Sequence, residues 1–216
     1  MKNRGGRKRQ RKVNTRIAEP GNYLIITEGT ETEVNYFKSI KSRIEELFRS
    51  KIIVEKISLK IEGTGRSTMV LVNEAIKKRS LGTYSDVWVV FDKDDNNDFD
   101  DAITYARRNG INAAWSNQCF ELWLLLHFQD FKSDVDRSIY YDKLNNHFKT
   151  RSINNGKYDK NISDIFNITF PFIDKAIKRS NNLFSEYREG NIFEPSKMNP
   201  CTTVQCLVEE LIRYIK

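Results

Sequence analysis

The stretch "LIITEGTETEVNYF", residues 24–37, decides how this chain is read. It lies inside "NYLIIT" (22–27), a short apolar run rich in β-branched residues, which predicts a strand buried on both faces. The run ends on Glu28, and Gly29 lets the chain turn sharply. From Glu31 to Phe48, apolar residues recur at Val34, Phe37, Ile40, Ile44 and Leu47, a helical period. Strand, turn and helix are the opening of a βαβ unit. Thr30 or Thr32 reads as the helix cap, with Glu31 and Glu33 as first-turn acids that complement the helix dipole. Glu28 stands ahead of the cap, at the carboxyl end of the strand. It therefore needs another explanation, and a metal site is one.

Working outward, "KIIVEKISLKIEG" (51–63) alternates as a second strand, and "GTGRST" (63–68) is a glycine-bearing turn. A helix is predicted over 67–78, then a third buried strand in "YSDVWVVFD" (84–92), a helix over 98–108 and a fourth strand in "INAAWS" (111–116). Strands alternating with helices imply a parallel sheet with right-handed crossovers. Beyond residue 116 the reading is mostly helical, over 118–129, 138–149, 172–188 and 201–215. "RSINNGKYDKN" (151–161) is polar and turn-rich and reads as an exposed loop. The organisation expected is a basic arm at 1–19, an α/β domain at 20–130 and a helical extension at 131–216 packed on it.

The bulk numbers narrow the function classes. The chain has 216 residues, 39% hydrophobic and 12% aromatic, enough for a sizeable core. No apolar run approaches the roughly 20 residues that cross a bilayer, and the basic N-terminus lacks the apolar segment of a secretory signal. Cys119, Cys201 and Cys206 form no CxxC pair, and two histidines make a zinc site a poor fit. Reduced cysteines and a cytoplasmic location are expected. The net charge is +7 and the pI about 9.2. Much of the excess sits in "MKNRGGRKRQRKVNTR", where Lys2, Arg4, Arg7, Lys8, Arg9, Arg11, Lys12 and Arg16 meet no acid. This segment cannot bury apolar surface. It reads as a phosphate-binding arm for nucleic acid driven by counterion release, against the plainer reading of a solubilising tail.

In an open parallel sheet, ligands bind beyond the carboxyl ends of the strands. Glu28 falls there after the first strand, and "FDKDD" places Asp92 and Asp94 there after the third. An i, i+2 pair in extended chain projects to one side, so Asp92 and Asp94 are expected to share a divalent ion. Oxygen ligands suit Mg²⁺ or Mn²⁺. "DKDDNNDFDDAI" is not an EF-hand: its sixth position is Asn97, its twelfth is Ile103, and it follows a strand. "GTGRST" is not a P-loop, because the G-x-x-x-x-G-K-[ST] spacing is missing. Its N–H groups and Arg66 remain a candidate phosphate cradle at a helix N-terminus, beside the reading of a plain turn.

Glutamate after the first strand and D-x-D after the third resemble a Toprim domain, the metal-binding fold of topoisomerases, primases and OLD-type nucleases. That likeness covers roughly residues 20–116. "SNQCFELWLLLHF" (116–128), "MNPCTTVQCLVEEL" (198–211), "EGTETEVNYF" and the basic arm are similar to the RloB-like family and span nearly the whole chain. Gln118 departs from it, at a position where a proline is expected. The resemblance implies a defence-associated Toprim protein, often encoded beside an ABC-type ATPase. It also draws attention to Glu121, an acid in a nearly all-apolar helix, which either joins the metal site, holds a second ion, or complements the helix dipole. Asn117 is expected to orient a phosphate or a ligand water. His127 is either an accessory residue or a core histidine.

The function expected is Mg²⁺- or Mn²⁺-dependent hydrolysis of phosphodiester bonds in RNA or DNA. Asp92 and Asp94 would hold the metal. Glu28 would be a ligand or the general base, and Glu121 would complete a two-metal arrangement with ions about 4 Å apart. The rival expectations are primase-like nucleotidyl transfer and a non-catalytic nucleic-acid-binding subunit of an ATPase complex.

Overall fold

The computed structural model describes residues 21–29, 31–46 and 68–216, together with the backbone of 52–56. The basic arm, Thr30, the second half of the long strand expected at 51–63, and the turn carrying Arg66 lie outside the described residues.

Five strands form one sheet in the order β2-β1-β3-β4-β5. β1 (Tyr23–Thr27), β2 (Ile52–Lys56), β3 (Asp86–Asp92) and β4 (Asn112–Asn117) are parallel neighbours. β5 (Cys201–Thr202) closes one edge antiparallel to β4. The connecting helices are α1 (Thr32–Glu45), α2 (Thr68–Leu81) and α3 (Phe99–Arg108).

Alternation along the strands builds two cores. Tyr23 and Ile25 of β1 and Trp88 and Val90 of β3 face one side, where Tyr36, Phe37, Ile40 and Ile44 of α1 cover them. Leu24 and Ile26, with Val87, Val89 and Phe91, face the other side under α2 and α3. Strands buried on both faces explain why β1 and β3 read as continuous apolar runs.

The later helices join the first of these cores. α4 (Glu121–Leu126), α5 (Arg137–Thr150), α6 (Ile165–Thr169), α7 (Ile173–Glu189) and α8 (Val204–Ile212) surround a cluster that includes α1 and the sheet. The helix expected over 118–129 is shorter, and α6 was not legible in the sequence. The helix expected over 201–215 is also corrected. Its first residues pair with β4 instead, because the β4 edge is open there. The Thr203 N–H donates to the Trp115 carbonyl, and Ser116 Oγ and Thr202 Oγ1 lie 3.0 Å apart.

Candidate functional site

The strand order places the candidate site. From β1 the chain crosses to β2 on one side and returns to β3 on the other, so the direction of winding reverses between β1 and β3. A crevice opens at such a switch point, outside the carboxyl ends of the strands. Glu28 and Asp92 both stand there. The Glu28 N–H donates to the Val90 carbonyl at 2.8 Å, which carries the β1–β3 pairing to its last rung. Asp92 ends β3 and is partly buried, and its Oδ2 accepts from the Phe120 N–H at 3.1 Å, just before α4.

Two more carboxylates converge on the same place. Glu121, the first residue of α4, is 2% exposed. Glu33, in the first turn of α1, is 8% exposed. Glu33 is the first-turn acid that the sequence predicts, and it is buried. A Cβ at Gly29 would lie 2.0–2.2 Å from the Glu33 carboxylate atoms, so the glycine leaves room for that carboxylate to fold back over the turn. Thr32 does not act as the expected cap, and Thr30 lies outside the described residues. Glu31 is the N-cap residue without a side-chain cap bond, and Thr32 Oγ1 donates to the Lys160 carbonyl at 3.2 Å.

Burial and crowding of like charge set the electrostatics. Burial first, then the Glu121 and Glu28 carboxylates, push Glu33 up to about 7, with Lys160 opposing. Asp92 is raised well above the usual carboxylate range, by burial and then by Glu33, Glu121 and Asp94. Three groups beyond residue 130 face this cluster. The Tyr158 hydroxyl donates to Glu121 Oε1 at 3.0 Å, and Lys160 Nζ lies 3.9 Å from the same oxygen. Arg137 Nη1 donates to Asp94 Oδ1 at 2.8 Å. The segment expected to be an exposed loop thus places Tyr158 and Lys160 on the crevice.

Asp94 does not share the extended geometry of Asp92. It has left the strand, with φ at +35°, a left-handed conformation uncommon for a residue with a side chain. The basis for a shared ion, two acids one strand period apart, is therefore corrected. Asp94 holds Arg137 at the rim. Asp98 accepts from Thr68 Oγ1 at 2.8 Å and from the Met69 N–H at 3.0 Å, and so fixes the start of α2.

The two accessory candidates are placed differently. Asn117 donates its amide to the Pro195 and Ser196 carbonyls at 3.2 and 3.0 Å. His127, beyond the far end of α4, is enclosed by the rings of Tyr36 and Trp123. Arg4, Arg7, Lys8, Arg9, Arg11, Lys12 and Arg66 lie outside the described residues.

The donor set suits a hard divalent cation: oxygen ligands only, crowded and short of counter-charge. Among the described residues, no group of three or more His, Cys, Asp or Glu side chains is arranged to hold a metal ion. Mg²⁺ needs less, since it keeps several waters and takes one or two carboxylates, with substrate phosphates completing its shell.

These features define an α/β protein with a cluster of carboxylates at the switch point of a mostly parallel sheet. The chain belongs to the RloB-like protein family, whose model matches residues 23–211. No curated protein and no solved structure matches it. Among the described residues, no helix is long and apolar enough to cross a membrane.

Proposed function

We propose that this protein is a Toprim-type phosphodiesterase that hydrolyses RNA or DNA with Mg²⁺ or Mn²⁺. The observation that carries the reading is the convergence of Glu28, Glu33, Asp92 and Glu121 at the β1/β3 switch point, with burial first and mutual repulsion second raising the proton affinity of Asp92 and Glu33. A charge cluster of this kind is costly for the fold unless something offsets it. Strongly perturbed carboxyl groups in a crevice mark a candidate functional site.

Glu28 and Asp92, on the two adjoining strands, would hold the cation. When bound, it would polarise a phosphoryl oxygen and make a coordinated water more acidic. Glu33, with a carboxyl near neutrality, suits the general base that takes a proton from the attacking water. Glu121 is held by Tyr158 and Lys160 and would keep the far wall of the crevice negative. Arg137 and Lys160 form a cationic rim, with side chains 40% and 44% exposed, suited to the phosphates of a strand. The basic arm would add backbone contacts without reading sequence. Family resemblance supports a role in defence against phage or mobile DNA, with an ABC-type ATPase as partner.

The test is cleavage of RNA and of single- and double-stranded DNA, with Mn²⁺ or with EDTA, by wild type and Asp92→Asn. Metal-dependent cutting that the variant loses is expected. Cutting that survives in EDTA or in Asp92→Asn would overturn the assignment.

A further inference from the structure

Beyond the carboxylate crevice, the outer edge of β4 is only half covered. β5 pairs with Ser116 and Asn117 alone. Trp115 turns both backbone groups outward: its N–H donates to Thr203 Oγ1 at 3.0 Å, and its carbonyl accepts from the Thr203 N–H at 2.8 Å. Alternation along a strand turns the N–H and carbonyl of Ala113, two residues back, to the same side. β5 does not reach them.

A cavity of about 570 Å³ opens against this stretch of β4, between α3 and the chain running from the end of α7 to Met198. That volume is in the range of small-molecule sites. Its walls include four large aromatic side chains, Trp88, Trp115, Phe184 and Phe193. Phe193 is 52% exposed. The Arg188 guanidinium lies 4.3 Å from the Phe193 centroid and 5.9 Å from that of Phe184. Arg107 of α3 adds a second cation, and no carboxylate pairs with it among the described residues.

The cavity's two carboxylates are already engaged. Asp100 accepts from the Ser196 N–H at 2.9 Å and from Ser196 Oγ at 2.5 Å. Glu194 lies 3.3 Å from Lys197 Nζ. The remaining chemistry is a flat aromatic platform, a backbone donor and acceptor side by side, and two arginines. It matches a ligand with a planar heteroaromatic ring, a hydrogen-bonding edge and an anionic group.

We infer that this cavity is a nucleotide-binding site. The base stacks on Phe193 with its edge toward Ala113, and the phosphate lies at Arg107 and Arg188. The nucleotide is either free or one unit of a nucleic-acid strand. Pro195 lines the cavity, and Asn117 ties its carbonyl to the end of β4 that leads into α4 and the crevice.

The full chain, kept in EDTA, is titrated calorimetrically with AMP, GMP, CMP, UMP and ATP, and with six-nucleotide DNA and RNA. Phe193→Ala and Arg107→Glu change exposed positions, and thermal melts check that both variants fold. Saturable binding is expected, weakened about tenfold or more by Phe193→Ala, as for loss of a base-stacking ring. Arg107→Glu should weaken it as well, and Asp92→Asn should leave it unchanged. Binding of mononucleotides assigns a free nucleotide, and binding of oligonucleotides alone assigns a strand. The inference is overturned if none of these probes binds, if both cavity variants bind like wild type, or if Asp92→Asn abolishes binding. Cleavage activity is not read in this experiment, so its failure and that of the nuclease reading are distinguishable.

Discussion

At one end of α4, Glu121 is 2% exposed; just past the other end, His127 is fully buried. Both are titratable groups in an otherwise apolar segment, and their surroundings differ in kind. Glu121 meets the Tyr158 hydroxyl and the Lys160 ammonium and stands near Asp92 and Glu33. Each of those groups responds to charge. His127 donates from Nδ1 to the Trp123 carbonyl at 3.0 Å, and its Nε2 has no partner among the described residues. Burial lowers its pKa to about 3, so the ring stays neutral at any physiological pH. Burial alone therefore does not mark a site. A buried ionisable group becomes a candidate for chemistry when its neighbours are also ionic and it stands where the sheet opens to a ligand.

The largest effect should separate these two residues in the cleavage assay. Glu121→Gln is expected to lower metal-dependent cutting by about 10²-fold or more, the scale of losing one preorganised electrostatic group. His127→Leu should leave the rate within a few-fold. Equal loss in both would break the comparison.

Next in size is the pH dependence of stability. Glu33 is raised from 4.5 to about 7 on folding, so between those values the native state binds more protons than the unfolded one. Stability from this group is complete below the unfolded value and is lost as pH rises through about 7. With Asp92 raised in the same direction, chemical denaturation in EDTA should show a fall of a few kcal/mol across that window. Glu33→Gln should flatten the fall. A rise in stability across the same window would contradict the electrostatics described.

A smaller effect is expected at the rim. Lys160→Met should weaken binding of single-stranded nucleic acid a few-fold and reduce the salt slope by about 0.7, one phosphate contact. An unchanged slope would remove Lys160 from the interface. At pH 8, His127→Leu should change stability by less than about 1.5 kcal/mol; at pH 5 the variant should gain roughly 2 kcal/mol on the wild type, because the unfolded imidazole takes up a proton that the buried ring does not.

What was legible in the sequence follows from what is local. The strands carrying Glu28 and Asp92 stand out because burial on both faces makes them apolar throughout. Their acids stand out because they fall where those runs stop. Glu33 was hidden by a local rule, since an acid in a first helical turn is ordinarily explained by the dipole. A signal for it was present: Glu33 precedes Tyr36, Phe37, Ile40 and Ile44 at helical spacing and so lies on the buried face of α1. Arg137, Tyr158 and Lys160 carried no comparable signal. Their place depends on contacts spanning 43, 37 and about 40 residues, which no period encodes. β5 is two residues long and exists because β4 has an open edge, so it too depends on tertiary context.

The central claim is that the crowded carboxylates form a divalent-cation site. Thermal melts of wild type and Asp92→Asn at pH 8, with Mn²⁺ or with EDTA, test it most directly. Binding to the native state alone, at about a hundred times the Kd, adds roughly 2.7 kcal/mol. At roughly 2–4 °C per kcal/mol for a chain of this size, Mn²⁺ should raise the wild-type Tm by several degrees and leave Asp92→Asn unmoved. No shift in the wild type, or the same shift in the variant, would contradict the account.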